Sequence, residues 1–315
     1  MRPVRHRVLT TSLLVFVTVV GSVPWAFGYL LPQSATLPLA LASLAGYSPY
    51  QVLVALLVAV LLRAWPAAVV AAALVAAQVV TLGPAYVGEP AGSGTTLTVM
   101  TSNLRFGRAD AHQLVAAVAR YDVDVLAVEE LTTHGLERLE AAGLRRQLPF
   151  SVEHPAYGGT GTGLWSRWPM REVAQRRLTF ESAAGEIDVD GHTIRLRALH
   201  PPPPVGGPPG AWLHDYSLLQ AQARDDLGMP TILLGDFNAS VHHRALRRLM
   251  GSRWRDAAEV RGAGLVRTFA PWEWSPAVLD PDHVLVDTGM GVSFWRRLHI
   301  DNTDHRAVVA RVVLR

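Results

Sequence analysis

The run Leu233-Leu234-Gly235-Asp236-Phe237-Asn238 sets a carboxylate and a carboxamide two positions apart. They follow an apolar segment, Thr231 to Leu234, that reads as a buried strand. Residues two apart on an extended chain point the same way, so Asp236 and Asn238 can aim at one point. Gly235 removes the side chain that would crowd a ligand there. A carboxylate to align water and an amide to hold an oxyanion suit metal-assisted phosphate chemistry. The alternative is a strand ending in an Asp-x-Asn turn, which is common. The hexapeptide alone does not choose.

Other polar residues also stand at strand ends. Asn103 follows the run Thr98 to Ser102, and Glu129 and Glu130 follow Val123 to Val128. His200 ends the segment of Ile194, Asp282-His283 precedes Val284-Leu285-Val286, and Asp304-His305 precedes Ala307-Val308-Val309. Taken singly, a buried His or a strand-capping Asp is usually structural. Their repetition at strand ends, in this order, is what carries weight.

The elements that must position them mix strands and helices from Thr95 onward. Leu97 to Leu104 reads as a strand. Ala111 to Tyr121 has helical periodicity with Asp110 as its N-cap. Ile194, Leu196 and Ala198 alternate with Arg195 and Arg197, the pattern of a half-exposed strand. Ala211 to Leu227 reads as a helix and Ala307 to Leu314 as a closing strand. Such a mixture over about 220 residues implies a layered α/β domain. Pro201 to Pro204 and Gly206-Gly207-Pro208-Pro209-Gly210 make a loop that is neither helix nor central strand. It is either a stiff surface loop or a wall facing the substrate, since it begins right after His200.

In order, the chain reads Ser102-Asn103-Leu104-Arg105, Asp124-Val125-Leu126-Ala127-Val128-Glu129-Glu130, Gly163-Leu164-Trp165-Ser166-Arg167-Trp168-Pro169, His200, Gly235-Asp236-Phe237-Asn238, Asp282-His283-Val284-Leu285-Val286 and Thr303-Asp304-His305-Arg306-Ala307-Val308. This order resembles the endonuclease/exonuclease/phosphatase superfamily over residues 95–315. The resemblance implies a four-layer α/β sandwich, two packed β-sheets flanked by helices, that hydrolyses phosphoesters with a divalent metal, Mg²⁺ or alternatively Mn²⁺. It assigns Glu130 as the metal carboxylate, supported by Asn103 and Asp304, a hard-oxygen set suited to Mg²⁺. Asp236 would orient or deprotonate the attacking water, and Asn238 would hold a phosphate oxygen. His305, paired with Asp282, would contact the phosphoryl group or move a proton. His200 would stabilise the transition state or protonate the leaving oxygen. Two positions depart from the pattern. Glu129 stands where Gln is common and is expected to point away, and Pro281 stands where an aliphatic residue is common.

Composition adds the setting. Between residues 8 and 88 the only charged side chain is Arg63, and the first acidic residue is Glu89. Three apolar runs, Val8 to Leu31, Gly46 to Leu62 and Ala64 to Leu82, can each reach the roughly 17–25 residues that cross hydrocarbon. The second, with Pro49 and Tyr50 near its start, leaves a count of two open. Arg2, Arg5, Arg7 and Arg63 place the N-terminus and the loop at Arg63 in the cytoplasm. Three crossings then put everything after Gly83 outside. Trp25, Tyr29, Trp65 and Tyr86 are either interfacial aromatics or packing residues. Residues 1–88 are thus expected to form a membrane domain, 89–94 a short flexible linker, and 95–315 the catalytic domain.

The 29 basic residues are all Arg, and four belong to the membrane part. The 26 acidic residues all lie at or beyond Glu89, so the domain is near neutral, without the basic excess of a nucleic-acid reader. With no Cys, thiol catalysis and thiolate metal sites are excluded. The architecture resembles VanJ-type membrane proteins associated with glycopeptide resistance. That resemblance implies a multi-pass cell-membrane protein with an extracytoplasmic domain acting on a lipid-linked phosphate or pyrophosphate of the envelope. A membrane-anchored nuclease and a non-catalytic binding protein are the alternatives.

Overall fold

A computed structural model describes residues 2–206, 209–272 and 274–314; Gly207 and Pro208 of the proline-rich loop, and Arg315, lie outside the described residues. The chain opens with four helices, α1 (Arg2–Tyr29), α2 (Thr36–Ser43), α3 (Ser48–Leu61) and α4 (Trp65–Leu82). Two segments, His6–Tyr29 and Trp65–Tyr86, are long and apolar enough to cross a membrane. A third exists if Thr36–Ser43 and Ala45–Leu61, bent by 41° at their junction, count as one.

Small residues let these helices approach, as in membrane bundles. A Cβ added at Gly21 would lie 3.3 Å from Gln51 Cβ, and one at Gly28 would lie 2.9 Å from Ala45 Cβ. Towards the other end of α1, Leu14 and Val15 pack with Leu56 and Ala59. Therefore α3 runs antiparallel to α1. Ser22 and Trp25 of α1 meet Gln78 and Thr81 of α4 in that order, so α4 runs parallel to α1. Trp25 and Tyr29 serve packing: the Trp25 indole donates to Thr81 Oγ1 at 2.8 Å, and Tyr29 Oη lies 2.9 Å from His242 Nδ1. Trp65 and Tyr86 stay exposed.

The remaining elements are β1 (Thr96–Asn103), α5 (Ala111–Arg120), β2 (Val125–Glu129), α6 (Thr133–Ala141), α7 (Leu144–Gln147), β3 (Phe150–His154), β4 (Thr162–Ser166), β5 (Met170–Glu172), β6 (Ala183–Val189), β7 (His192–Leu199), α8 (Gly210–Asp225), β8 (Thr231–Asp236), α9 (Arg244–Met250), β9 (Trp254–Asp256), α10 (Ala257–Val260), β10 (Asp282–Asp287), β11 (Gly291–His299) and β12 (Arg306–Val313). They form two six-stranded sheets, ordered β11-β12-β1-β2-β4-β3 and β5-β6-β7-β8-β10-β9. Period-2 alternation divides the core. Leu97, Val99, Val125, Ala127, Ile194, Leu196, Ala198, Ile232, Leu234, Val284 and Val308 fill the space between the sheets. Met100, Leu126, Val128 and Val309 face outward beneath α5 and α6. Leu199, Leu233 and Leu285 face outward with Trp212 and Tyr216 of α8 and Leu246 of α9. This is the four-layer sandwich expected. Asp110 caps α5, its Oδ1 accepting from Gln113 N–H at 2.9 Å.

Three expectations need correction. Arg195 and Arg197 do not face solvent. Arg197 is 2% exposed and makes two 2.7 Å bonds to Asp226, which Arg195 also pairs with, alongside Glu186. Asp226, just past α8, lets that helix cover the outer face of β7. Glu89 and Ala91 are pinned, not free. Glu89 N–H donates to Val260 O at 2.8 Å, Arg255 pairs with the Glu89 carboxylate, and Ala91 O lies where a Cβ on Gly291 would fall. The third correction concerns Glu129 and belongs to the site.

The N-terminal helices also grip the domain. Leu39 of α2 is fully buried in the cluster of Trp212, Phe237 and Leu246. Around it, Gln33 Oε1 accepts from Arg244 N–H at 2.7 Å and Arg247 donates to Gly28 O at 2.6 Å. His243 Nε2 lies 3.0 Å from Leu39 O, and Tyr47 donates to Val278 O at 2.7 Å.

Candidate active site

Alternation places Thr101, Asn103, Glu129, His200, Asp236 and Asp282 on the inter-sheet side at one end of the sandwich. Two register pairs fix their heights: Asn103 opposite Glu129, and Asp282 opposite Asp236. Asn103 is fully buried and joins the sheets. Its Nδ2 donates to Glu130 Oε1 at 3.2 Å and to Asp236 Oδ2 at 3.0 Å, while its Oδ1 accepts from Arg105 N–H at 2.9 Å.

Glu130 reaches this point by leaving the strand. Its φ of 55° turns the chain left-handed right after β2, re-aiming a side chain that extended geometry would send outward. Phe106 N–H then donates to its Oε2 at 2.7 Å. Glu129, expected to point away, instead lies fully buried between the sheets, accepting from Thr101 Oγ1 at 2.9 and 3.0 Å. Burial, then the charge of Asp282, pushes its carboxyl well above the usual range. Its carboxyl lies beneath the site.

The opening feature is both a turn and a site. Asn238 N–H donates to Asp236 Oδ1 at 2.9 Å, an Asx-turn, and Asn238 adopts φ 47°, which Asn tolerates better than most residues. The carboxamide is thereby swung away from the simple strand direction. Its Nδ2 donates to Pro201 O at 2.9 Å, tying it to the loop after His200. Gly235 serves packing and not ligand access. At φ 144° a Cβ would sit 2.0 Å from Leu199 O on β7, so the β7–β8 pairing that aligns His200 with Asp236 requires glycine here.

Asp282 holds His305, with its carboxylate oxygens 2.9 and 3.0 Å from Nδ1. The Nε2 atoms of His305 and His200 each lie 3.7 Å from Asp236 Oδ2. Burial works against charge on His305, but the carboxylates of Asp282 and Asp236 outweigh it and hold the imidazolium at about 10. Burial, reinforced by the charge of His305, drives His200 down to about 3, so it is neutral. Its Nδ1 is buried without a hydrogen-bond partner. Burial lifts Asp236 to about 7, opposed by His305 and aided by Asp282. Burial likewise raises Glu130. Asp304 is half-buried beside this group, its Oδ2 3.7 Å from Arg105 Nε.

The donor set fits a divalent cation. Two carboxylates, Glu130 and Asp236, converge on one amide and carry raised pKa values that a cation would relieve. Asp236, Asp282 and His305 also offer ligand atoms all within 4.8 Å of one another. Among the residues expected to hold metal, Asn103 and Glu130 are joined directly. Asp304 reaches neither through a hydrogen bond. Arg105 and the Phe106 N–H were not anticipated, although both follow Asn103 within three residues, close enough that a tight turn had to bring them near.

A family model for the Endonuclease/Exonuclease/phosphatase family matches residues 100–305. No curated protein matches the sequence. Among solved structures, D. rerio TDP2 complexed with single-strand DNA product superposes with a TM-score of 0.57 at 13% identity, covering 69% of this chain and 99% of that one. An endonuclease/exonuclease/phosphatase family protein from Bacteroides thetaiotaomicron gives 0.53 at 16%, covering 71% and 100%. Sphingomyelinase C from Streptomyces griseocarneus gives 0.50 at 15%, covering 69% and 99%. At these identities the superpositions speak to the fold.

Proposed function

The chain belongs to the Endonuclease/Exonuclease/phosphatase family, whose members are metal-dependent phosphoester hydrolases, and from that premise we propose that it is a membrane-anchored hydrolase of a lipid-linked phosphate or pyrophosphate. One observation carries the reading. A groove of about 240 Å³ is lined by Asn238 and His305 of the site, by Pro203, Pro204, Val205, Phe269 and Leu279, and by Ser43 of α2, with Ser240, His243 and Asp280 as its other polar residues. The proline-rich loop is thus a wall of the site, and a largely apolar groove touches both the reacting residues and α2. An acyl or prenyl tail suits such a groove; a nucleic-acid strand does not.

Glu130 and Asp236, joined by Asn103, would hold a divalent cation, Mg²⁺ by the hardness of its oxygens. That ion supplies charge neutralisation on the phosphoryl oxygens. Asp236 orients the attacking water. Cationic His305, fixed by Asp282, binds a phosphoryl oxygen as a charge-assisted donor. Neutral His200 presents Nε2 to the reacting group beside Asp236. Two members of the family superposed above act on very different esters by their names, so the groove and not the fold selects the substrate.

We infer three crossings, with Arg7 and Arg63 at the cytoplasmic end and the domain outside the cell. The parallel run of α1 and α4 supports that count. With no native cysteine, a single Cys introduced at exposed Tyr157 reports orientation directly. Labelling of intact cells by an impermeant maleimide is expected. The resemblance to VanJ-type proteins supports a contribution to glycopeptide resistance, measurable as the inhibitory concentration of a host carrying the parent chain or Asp236→Ala. The reaction itself is tested with purified full chain in micelles, Mg²⁺ and a polyprenyl diphosphate. Phosphate release abolished by Asp236→Ala is expected. Metal-dependent DNA cleavage with no turnover of any lipid ester would refute it.

A further inference from the structure

A second, wider cleft of about 830 Å³ adjoins the centre, and its chemistry is opposite to that of the apolar groove. Its lining includes Arg105, Arg108, Arg138, Arg306, Asp301 and Asp304. It meets the site through Phe106, whose N–H holds Glu130, and through Asp304, the neighbour of His305. The groove and the cleft share a boundary in sequence, since Phe269 and His305 line the groove while Ala270 and Asp304 line the cleft.

The cleft gathers four arginines against two aspartates, and of the four only Arg105 is paired with one of them, Asp304. Among the described residues, Arg108, Arg138 and Arg306 pair with none. Arg138 donates to Gly107 O and Arg108 O at 2.9 and 3.2 Å, so its charge is held in place by carbonyls. Arg306 donates to His305 O at 3.4 Å. Arg108 lies over the Phe106 ring, 5.9 Å from its centroid. With arginines outnumbering aspartates two to one, the cleft beside a phosphoester site forms a receptor for a further anion.

We propose that this cleft binds a second phosphate bonded to the scissile one, and that this outer phosphate is the leaving group. The inference rests on the lipid-phosphate reading of the groove. With the tail in the groove, the tail-side phosphorus lies at Asp236 and His305, and the outer phosphate extends among the arginines. A water oxygen forms a bond to the tail-side phosphorus, and the bridging oxygen's bond to that phosphorus breaks. The bridging oxygen departs with the outer phosphate, and the water proton passes to solvent through the polar residues of the site. The products are a lipid monophosphate and inorganic phosphate, or a phosphorylated headgroup if the outer phosphate carries one. Arg108, Arg138 and Arg306 stabilise charge developing on the departing phosphate, where it counts most.

The test uses the full chain in detergent with Mg²⁺, and farnesyl diphosphate and farnesyl monophosphate as probes. In ¹⁸O-water the label is expected in the farnesyl monophosphate produced from the diphosphate. Arg108→Ala should lower the ratio of kcat/KM on diphosphate to that on monophosphate about ten- to hundredfold, the range for a lost charge-assisted bond. Arg108→Lys should restore part of it. Label found in inorganic phosphate, or an unchanged ratio in Arg108→Ala chains that melt like the parent, overturns the assignment while leaving lipid-phosphate hydrolysis standing. Absence of turnover on both farnesyl esters overturns both. Cleavage of a single-stranded oligonucleotide that Arg108→Ala abolishes, with both lipids ignored, would assign the cleft to nucleic acid instead.

Discussion

Leu39→Ala isolates the grip of the membrane helices on the domain. Leu39 belongs to α2, between the first two membrane-length segments, yet it is 0% exposed within a cluster containing Trp212, Phe237 and Leu246. Truncating a leucine so enclosed costs about 2–5 kcal/mol, the lost transfer energy plus the cavity it leaves. For a domain of this size each kcal/mol moves the melting midpoint by about 2–4 °C, so a fall of about 4–20 °C is expected. Buried Trp212 and Trp254 lie in the same cluster, so tryptophan fluorescence of the full chain in detergent follows the transition locally. Leu37, two residues earlier and 68% exposed, is the internal control: Leu37→Ala should shift the midpoint by less than about 2 °C, as surface substitutions do. Activity should fall with docking, because Trp212 Nε1 donates to Asn238 O at 3.1 Å and Tyr216 Oη to Phe237 O at 3.0 Å. A midpoint within 2 °C of the parent, or equal shifts for the two variants, would show that the strap does not hold the domain.

Other perturbations separate the remaining roles. Asp282→Asn removes the charge that sustains imidazolium on His305, and phosphate release should fall about 10²–10⁴-fold at pH 7, the scale of a lost acid–base partner. Chelation of divalent ions should abolish turnover and added Mg²⁺ should restore it; full activity in chelator would refute the metal assignment. Asp226→Ala strands buried Arg197 without its partner and should cost about 3–5 kcal/mol, read by chemical denaturation. Asp280 has its carboxyl raised to about 8 by burial, against the opposing charge of His283 and with Asp256 and Glu259 nearby. Between pH 4 and pH 8 the folded chain therefore holds a proton that the unfolded chain has released, and stability falls as pH rises. Asp280→Asn removes that loss, so its gain in melting midpoint over the parent should be larger at pH 8 than at pH 5. A gain independent of pH would refute the assignment.

What could be read from sequence was the part governed by regular periodicity. The strands carrying Asn103, Asp236 and Asp282 obey alternation, so their inward direction and common end follow from residue types alone. The departures occur where the backbone leaves that period. Glu130 and Asn238 sit at positive φ, and no glycine at Glu130 announces the turn. Alternation alone would have sent Glu129, not Glu130, toward the centre, and Glu129 does lie beneath it. Arg195 and Arg197 misled because a buried arginine is legible only through its partner, and Asp226 lies some 30 residues away. The grip of Gln33, Leu39 and Tyr47 on His242, His243 and Val278 has no periodic signal. It depends on two surfaces meeting after each has folded.

With the N-terminal helices in a bilayer, that grip would fix the height of the reacting atoms above it. With Leu39, Gln33 and Tyr47 tying the domain to the helices and Glu89 pinning the segment after them to Arg255, the groove beside Ser43 would not wander as it would on a slack tether. For a lipid ester, encounter then becomes a two-dimensional search. The rate should follow the mole fraction of ester in the membrane and the lateral diffusion of both partners, and diluting the whole suspension with buffer should leave it nearly unchanged.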